Sequence, residues 1–179
     1  MSTKLERLHD DLLVDGAITL KQLKRRYYIS RSEASAAGFH VFDRPVPLTG
    51  RARRPVKVSF VATDQSMDAL SGNTLRHLSG VAEIRHVLRA PVEAWERPFS
   101  RRTGELPDAI YRPSSGAVAV EFDAGTYSRV QVIKKLNAFG GNAFSAQVWG
   151  TPSEARSHFI QELALKRDLP LSLYVTRWA

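Results

Sequence analysis

Three acidic side chains near the middle of the chain have types and spacing that could hold a metal ion. Asp108 follows Pro107 at the start of a segment that predicts a β-strand. A Pro-Ser-Ser-Gly turn over 113–116 reverses the chain, and the segment AVAVEFDAG then brings Glu121 and Asp123. Because side chains alternate along a strand, Glu121 and Asp123 share one face, with Asp108 across the hairpin. Hard divalent cations prefer carboxylate oxygens, so these three acids are candidate catalytic residues and candidate ligands for Mg²⁺ or Mn²⁺.

The order of this segment resembles the restriction-endonuclease-like core called PD-(D/E)xK. A Pro-Asp pair, a hairpin, an acidic strand and a lysine-bearing helix follow one another, and Asp108 and Glu121 match the two acidic positions. Asp123 stands where that motif has its lysine. A substitute amine is available on the next predicted helix, at Lys134 or Lys135. The resemblance implies a metal-dependent phosphodiesterase site in which a lysine of that helix stabilises charge or the attacking water.

A longer resemblance extends over 74–163. EFDAGTYS followed by KKLNAF is similar to the E-x-D-x-G-T-x-S and K-L-x-x-(Y/F) pattern of the bacterial replication-relaxation family. The flanking segments TLRHLSGVAEIRHVL and WGTPSEARSHFIQEL also resemble that family, whose members are DNA-binding proteins associated with plasmid replication and mobilisation. On this resemblance the family lysine is Lys135 and the family acids are Asp108, Glu121 and Asp123. The resemblance implies association with DNA and leaves cleavage open.

The same acids have a plainer interpretation. Pro-Asp pairs commonly begin turns, and acidic side chains on one strand face often form a solvated edge that discourages pairing between sheets. The apolar run before the acids favours the metal-site interpretation. Val118, Ala119 and Val120 predict a strand that is buried on both faces up to the position of the acids. A buried carboxylate needs a partner, a cation or a proton. Both interpretations stay open at this level.

Charge independently favours a nucleic-acid partner. The chain has 26 Lys and Arg against 18 Asp and Glu, which gives a formal net charge of +8. The first 57 residues hold 12 basic and 6 acidic side chains, a net of +6, which leaves 14 minus 12, or +2, for the rest. The attraction for phosphate is therefore concentrated in the N-terminal third.

That N-terminal third has the pattern of a winged helix-turn-helix. LERLHDDLLVDG has leucines at helical spacing and ends at Gly16, Thr19 precedes LKQLKRRYY as a cap, and Ser30 or Ser32 begins a third helix that extends to about Gly38. FHVF and VKVSFVA then predict two strands joined by a basic loop rich in Pro and Gly. In this layout the third helix enters the major groove, and the loop, as the wing, lies on phosphates or in the minor groove.

The candidate DNA contacts come from the second helix, the third helix and the wing loop. They are Lys24, Arg25, Arg26, Arg31, Ser32, Arg51, Arg53 and Arg54. Ala and Ser dominate the third helix, so we expect phosphate contacts to outweigh base readout. Two alternatives stay open: the basic residues of the second helix form a solvated face, or the loop is a flexible linker.

The rest of the chain predicts alternating helices and strands. A short capped helix in TDQSMDALSG precedes a longer one over 73–90, whose apolar stripe is Leu75, Leu78, Val81, Ile84, Val87 and Leu88. The acid-bearing hairpin, a helix over 127–139, a strand near 143–148, a helix over 153–166 and the strand LSLYVTRW follow. We therefore predict an α/β (α+β) fold with a winged helix-turn-helix domain at 1–72. A connecting helix and a restriction-endonuclease-like domain, with a mixed sheet and flanking helices, are predicted at 73–179.

Two functions follow from these patterns. The first is a DNA-binding protein whose nuclease-like domain hydrolyses phosphodiesters of plasmid, phage or chromosomal DNA with Mg²⁺ or Mn²⁺. The second is a non-catalytic DNA-binding regulator of replication, mobilisation or transcription, whose core serves folding, backbone contact or the formation of a homodimer. The absence of cysteine excludes disulfides and thiolate metal sites and fits the cytoplasm. The sequence predicts no membrane-spanning segment.

Overall fold

The computed structural model describes residues 3–48, 54–98, 105–141 and 143–179, and these ranges form a mixed α/β fold with two sheets. Their helices are α1 (Lys4–Asp15), α2 (Leu20–Tyr27), α3 (Arg31–Ala36), α4 (Gly72–Val87), α5 (Arg129–Phe139) and α6 (Glu154–Leu165). Their strands are β1 (Ala17–Thr19), β2 (His40–Val46), β3 (Val56–Ala62), β4 (Trp95–Glu96), β5 (Ala109–Tyr111), β6 (Val118–Phe122), β7 (Ala146–Thr151) and β8 (Ser172–Val175). Short 3₁₀ turns cover Gln65–Ala69 and Val92–Ala94. Within the described ranges, no helix combines the length and apolar character needed to cross a membrane.

The helix ends of the N-terminal unit follow the capping residues in the sequence. The side chains of Thr19 and Ser30 accept hydrogen bonds from backbone amides in the first turns of α2 and α3. Gly16 ends α1 with φ of 79°, a left-handed conformation that favours glycine. The third helix is shorter than predicted, since it ends at Ala36 and Gly38 turns the chain into β2 with φ of 88°.

The first sheet has the order β1-β3-β2 and is antiparallel throughout. Strand β3 is central: Ala62 is opposite both Ala17 and His40. Strands β2 and β3 confirm the predicted pair. The three residues of β1 were not predicted, because so short a segment between two helices has no detectable alternation.

Helix α4 lies between the two sheets. It contacts β1 and β2 of the first sheet and β6 and β7 of the second. Leu75, Leu78, Val81 and Ile84 are buried as its predicted stripe requires, whereas Val87 is 42% exposed near the end of the helix.

The second sheet has the order β4-β5-β6-β7-β8. Strands β4, β5 and β6 are antiparallel neighbours, and β6, β7 and β8 are parallel. Val120 and Phe122 pack in the cluster that contains α4, whereas Ala119 packs with α5 and α6 on the opposite face. The alternation predicted along β6 therefore separates an α4 face from an α5 face.

One hydrophobic cluster joins both sheets. It includes Phe42 and Phe60 from the first sheet, Val120 and Phe122 from the second, and Ile84 from α4. These side chains come from both sides of the predicted boundary between residues 72 and 73. The division into domains at 1–72 and 73–179 stays a prediction, and the physical finding is that both sheets pack on the same helix.

Candidate functional site

Glu121 forms the centre of the candidate acidic site. Its side chain is fully buried on the α5 face of β6. Glu121 Oε1 accepts a hydrogen bond of 2.7 Å from the Tyr127 hydroxyl and lies 2.9 Å from Lys135 Nζ. Glu121 Oε2 is buried without a hydrogen-bond partner among the described residues. One oxygen of this carboxyl is thus fully engaged, and the other has unused hydrogen-bonding capacity.

Lys135 is the predicted lysine that reaches this carboxyl. The amine lies on α5, donates to the carbonyl of Leu106 at 3.3 Å and is 4.0 Å from a carboxylate oxygen of Glu105. Its side chain is only 13% exposed, whereas that of Lys134 is 68% exposed and pairs with Glu105. The helical period separates these neighbours, because consecutive residues on a helix point about 100° apart.

Asp108 lies at the end of the hairpin, beside Glu121. The register that pairs Ala109 with Val120 brings Asp108 to the position opposite Glu121. Asp108 Oδ2 accepts from the Phe122 amide at 2.7 Å, and Oδ1 lies 2.9 Å from His77 Nε2. His77 comes from α4, so this carboxylate bridges the strand end to the central helix.

Asp123 pairs with Arg156 rather than with Lys135. Its Oδ1 accepts from the Gly125 amide at 2.7 Å, and its Oδ2 accepts from Arg156 Nε at 2.7 Å. Arg156 also donates to the carbonyl of Tyr127 at 2.6 Å. Asp123 is fully buried, and this arginine on α6 neutralises its charge.

Burial governs the electrostatics of the site. Desolvation, followed by the nearby Asp108 carboxylate, raises the pKa of Glu121 to about 8, although Lys135 and Tyr127 oppose this rise. Burial and the Glu121 carboxyl also raise the pKa of the Tyr127 phenol. Tyr127 therefore stays protonated at neutral pH and donates its hydrogen bond to Glu121.

The three acids do not form a ready-made metal centre. Within the described ranges, no group of three or more His, Asp or Glu side chains is arranged to hold a metal ion. Asp108 and Asp123 use their oxygens for internal contacts. Among the oxygens of these three acids, Glu121 Oε2 is the one without a hydrogen-bond partner in the described residues. The assignment of Asp108, Glu121 and Asp123 as ligands of Mg²⁺ or Mn²⁺ stays a prediction.

No protein-family model, curated protein or solved structure matches this chain.

The predicted DNA contacts have different surroundings. Lys24 and Ser32 are exposed, and Arg31 is 52% exposed and 3.4 Å from Asp43. Arg54 is exposed, and Arg51 and Arg53 lie outside the described residues.

Two of the predicted DNA contacts, Arg25 and Arg26, form ion pairs with the protein itself. Arg26 is 1% exposed and pairs with Glu83 on α4. Arg25 pairs with the same carboxylate at 2.7 Å and donates to the carbonyl of Arg177. The structure thus places Arg26 in an internal ion pair, where its charge offsets that of Glu83, and leaves Arg25 41% exposed.

Sequence reasoning missed several side chains that complete the site. Tyr127 lies within the EFDAGTYS segment, and this position in the motif was the available signal. His77 and Arg156 lie in the flanking segments that resemble the family, but their partners Asp108 and Asp123 are distant in sequence, so these pairs are visible only in the folded chain.

Proposed function

We propose that this protein binds DNA through its N-terminal unit and acts as a non-cleaving regulator of replication, mobilisation or transcription in the cytoplasm. The observation that carries this proposal is the meeting of two exposed cations from different elements. Arg31 at the start of α3 and Lys57 on β3 both approach Asp43, at 3.4 and 2.8 Å. Lys57 is 76% exposed and lines a cavity together with Lys21. Clustered cations of this kind attract the phosphates of nucleic acid.

The order of elements supports a winged helix-turn-helix as the finer description of this unit. Three helices, with the short strand β1 between the first two, lead into the β2–β3 hairpin, and β1 completes the sheet. In such a unit α3 lies in the major groove and the loop between β2 and β3 forms the wing. Arg31 and Ser32 begin α3, and Arg54 lies at the loop end of β3.

The second sheet supports a nuclease-like core that does not cleave. The acidic hairpin, the parallel strands and the Lys135–Glu121 contact agree with the restriction-endonuclease-like resemblance. The carboxylates, however, already pair internally with His77, Arg156 and Lys135, and Glu121 Oε2 alone among their oxygens has no partner in the described residues. A fully buried Glu121 with a raised pKa is poorly suited to a hydrated cation and a phosphodiester. We propose that this core serves folding, backbone contact or formation of a homodimer.

One observation favours the alternative of a metal-dependent phosphodiesterase. Glu121 Oε2 is buried and without a partner within the described part of the chain, while Lys135 lies beside the other oxygen. A rearranged site could use this oxygen as a ligand for Mg²⁺ or Mn²⁺.

Salt-dependent DNA binding tests the main proposal. Fluorescence anisotropy with labelled duplex DNA at several salt concentrations should show weaker binding for the double variant Arg31→Gln/Lys57→Gln. The slope of log K against log salt should fall by about 0.9 for each lost phosphate contact. The matched control, Arg89→Gln/Lys166→Gln, removes the same charges from exposed positions outside the N-terminal unit and should bind as the unchanged protein does. Equal binding by both double variants would contradict the proposal.

The wing has a separate test. Replacing Arg51, Arg53 and Arg54 together by Ala should weaken binding to all DNA sequences and reduce the salt slope. An unchanged affinity and slope would remove the wing from the proposal while leaving the α3 surface in it.

A cleavage assay separates the two functions. Supercoiled, duplex and single-stranded DNA are incubated with Mg²⁺ or Mn²⁺ and the protein, with Glu121→Gln and Lys135→Met as controls. We expect no cleavage above that of the variants. Cleavage that requires both Glu121 and Lys135 would replace the regulator with the nuclease.

A further inference from the structure

A second candidate site lies where β6 and β7 end. A cavity of about 490 Å³ opens there, and its lining shares Tyr127 and Arg156 with the acidic site described above. Its polar wall includes Ser128, Arg129, Thr151, Ser153 and Arg156. The proposed DNA surface on the N-terminal unit uses none of these residues.

Two helices begin at this cavity. Helix α5 follows its cap Ser128, and α6 follows its cap Ser153, and both caps line the cavity. The first backbone amides of a helix lack intrahelical partners, and the helix dipole places partial positive charge there. Two such ends at one cavity favour an anion.

Thr151 provides independent evidence for a ligand. This residue is at the end of β7, lines the cavity and is fully buried. Its Oγ1 has no hydrogen-bond partner among the described residues. A hydroxyl that has lost water without gaining a partner is unfavourable, and a ligand oxygen at the cavity wall would satisfy it.

Two arginines line the cavity, and one of them, Arg156, is paired with Asp123. Arg129 is exposed at its edge, and Arg156 is 14% exposed with its guanidinium 4.7 Å from the centre of the Phe159 ring. The lining residues include no Asp or Glu. Asp123 is already paired with Arg156, and Glu154 on the first turn of α6 is exposed and outside the lining.

We propose that this cavity binds the phosphate group of a nucleotide. Phosphate combines the negative charge that the helix ends and arginines attract with oxygens that Thr151 can donate to. The volume lies within the range of about 300–1,000 Å³ found for small-ligand sites, so a sugar and base can accompany the phosphate. Recognition of this phosphate is independent of DNA binding by the N-terminal unit.

Isothermal titration calorimetry of the full chain with deoxyadenosine monophosphate tests the proposal. Deoxyadenosine, which lacks the phosphate, should bind at least about tenfold more weakly, because it loses charge-assisted hydrogen bonds. Inorganic phosphate should compete with the nucleotide. Thr151→Val keeps the side-chain shape and should lower affinity about tenfold, and Arg129→Gln should lower it severalfold. Arg89→Gln, a matched loss of an exposed arginine elsewhere, should leave affinity unchanged.

Thermal unfolding keeps the test independent of folding defects. Thr151→Val should unfold at the same or a higher temperature without ligand, because it removes an unsatisfied buried hydroxyl, and should lose the stabilisation that the nucleotide gives. The proposal is overturned if the nucleotide does not bind at millimolar concentration, if deoxyadenosine binds equally well, or if Thr151→Val binds as the unchanged protein does.

A final binding experiment with oligonucleotides identifies the source of the phosphate. Preference for a 5′-phosphorylated over a 5′-hydroxyl oligonucleotide, lost in Thr151→Val, would assign the cavity to DNA ends. Nucleotide binding without that preference would assign it to free nucleotides. Both outcomes support phosphate recognition. The variant Arg31→Gln/Lys57→Gln should retain nucleotide binding, so failure of the duplex-binding proposal is distinguishable from failure of this one.

Discussion

At the scale of single residues, the balance of charge around Glu121 decides the behaviour of the acidic site. Its carboxyl is removed from water and lies near Asp108, and both effects favour the protonated form. Lys135 and Tyr127 favour the ionised form, but burial is the largest contribution. A residue of this kind makes stability depend on pH.

Stability should decline as pH rises through the interval set by Glu121. The pKa is about 8 in the folded protein and 4.5 in its ordinary state, so between these values the folded protein binds more protons than the unfolded chain. The contribution of the protonated carboxyl to the free energy of unfolding is fully present below pH 4.5 and is lost as the pH rises to about 8. Glu121→Gln should remove this decline, because the amide has no proton to lose in this range. Urea unfolding of both proteins from pH 4.5 to 8.5 measures the difference, and parallel curves would contradict it.

Lys135 should stabilise the fold chiefly when Glu121 is ionised. Lys135→Met leaves a buried carboxylate without its cation, and such losses cost about 3–5 kcal/mol. The loss should be greatest above pH 8 and smaller at pH 5, where the carboxyl is neutral. Adding Glu121→Gln should recover much of the lost stability, as a double-mutant cycle of urea unfolding would measure. Additive effects of the two substitutions would mean that the pair is not energetically coupled.

At the scale of elements, the close approach of α4 to β6 determines how the second sheet is supported. Gly80 on α4 faces the ring of Phe122, and a Cβ at that position would lie 2.4 Å from the ring. Glycine is unfavourable within a helix by about 1 kcal/mol relative to alanine, so its presence here reflects packing. The helix can approach the sheet because this position has no side chain.

Gly80→Ala should therefore destabilise the protein despite the better helix propensity of alanine. The displaced Phe122 ring should cost about 1–3 kcal/mol, which exceeds the gain in propensity. Gly141→Ala is the control, because its added Cβ would have no atom within 4 Å. Thermal unfolding should give a lower Tm for Gly80→Ala alone, and Phe122→Leu should partly restore it. An equal or higher Tm would show that α4 can shift without cost.

At the scale of the whole molecule, the C-terminal segment ties the N-terminal unit to the second sheet. Trp178 is 2% exposed within the core cluster that joins the sheets. Its carbonyl accepts from the Thr19 hydroxyl at 2.7 Å, and the neighbouring carbonyl of Arg177 accepts from Arg25. Glu83 and Arg25 add a charged contact between α4 and α2.

This shared core predicts a single unfolding transition. Trp178→Ala should destabilise the protein by about 3–5 kcal/mol, because it removes a large side chain from a packed core. Far-UV circular dichroism and tryptophan fluorescence should give the same urea midpoint in the unchanged protein. Leu165→Ala, at a side chain that is 67% exposed, should change stability by less than about 0.5 kcal/mol. Two separate transitions would mean that the sheets unfold independently.

The sequence by itself determined the local elements and the chemical types at the site. Thr19 and Ser30 set helix starts, Gly16 set a helix end, and alternation along β6 divided its two faces. These features depend on neighbours a few residues apart, so periodicity and capping chemistry reveal them. The mixed α/β fold is confirmed, and the family resemblance named Glu121 and Lys135 as site residues, whose contact at 2.9 Å is a finding of the structure.

Only the tertiary structure decided which charges meet. Arg156 neutralises Asp123, His77 contacts Asp108, and Arg26 turns inward to Glu83, and each pair joins residues that are far apart in sequence. The unpaired hydroxyl of Thr151 likewise became visible only with the cavity around it. Ionic partners and burial depend on how elements pack, and a single strand or helix pattern contains no measure of the distance between them.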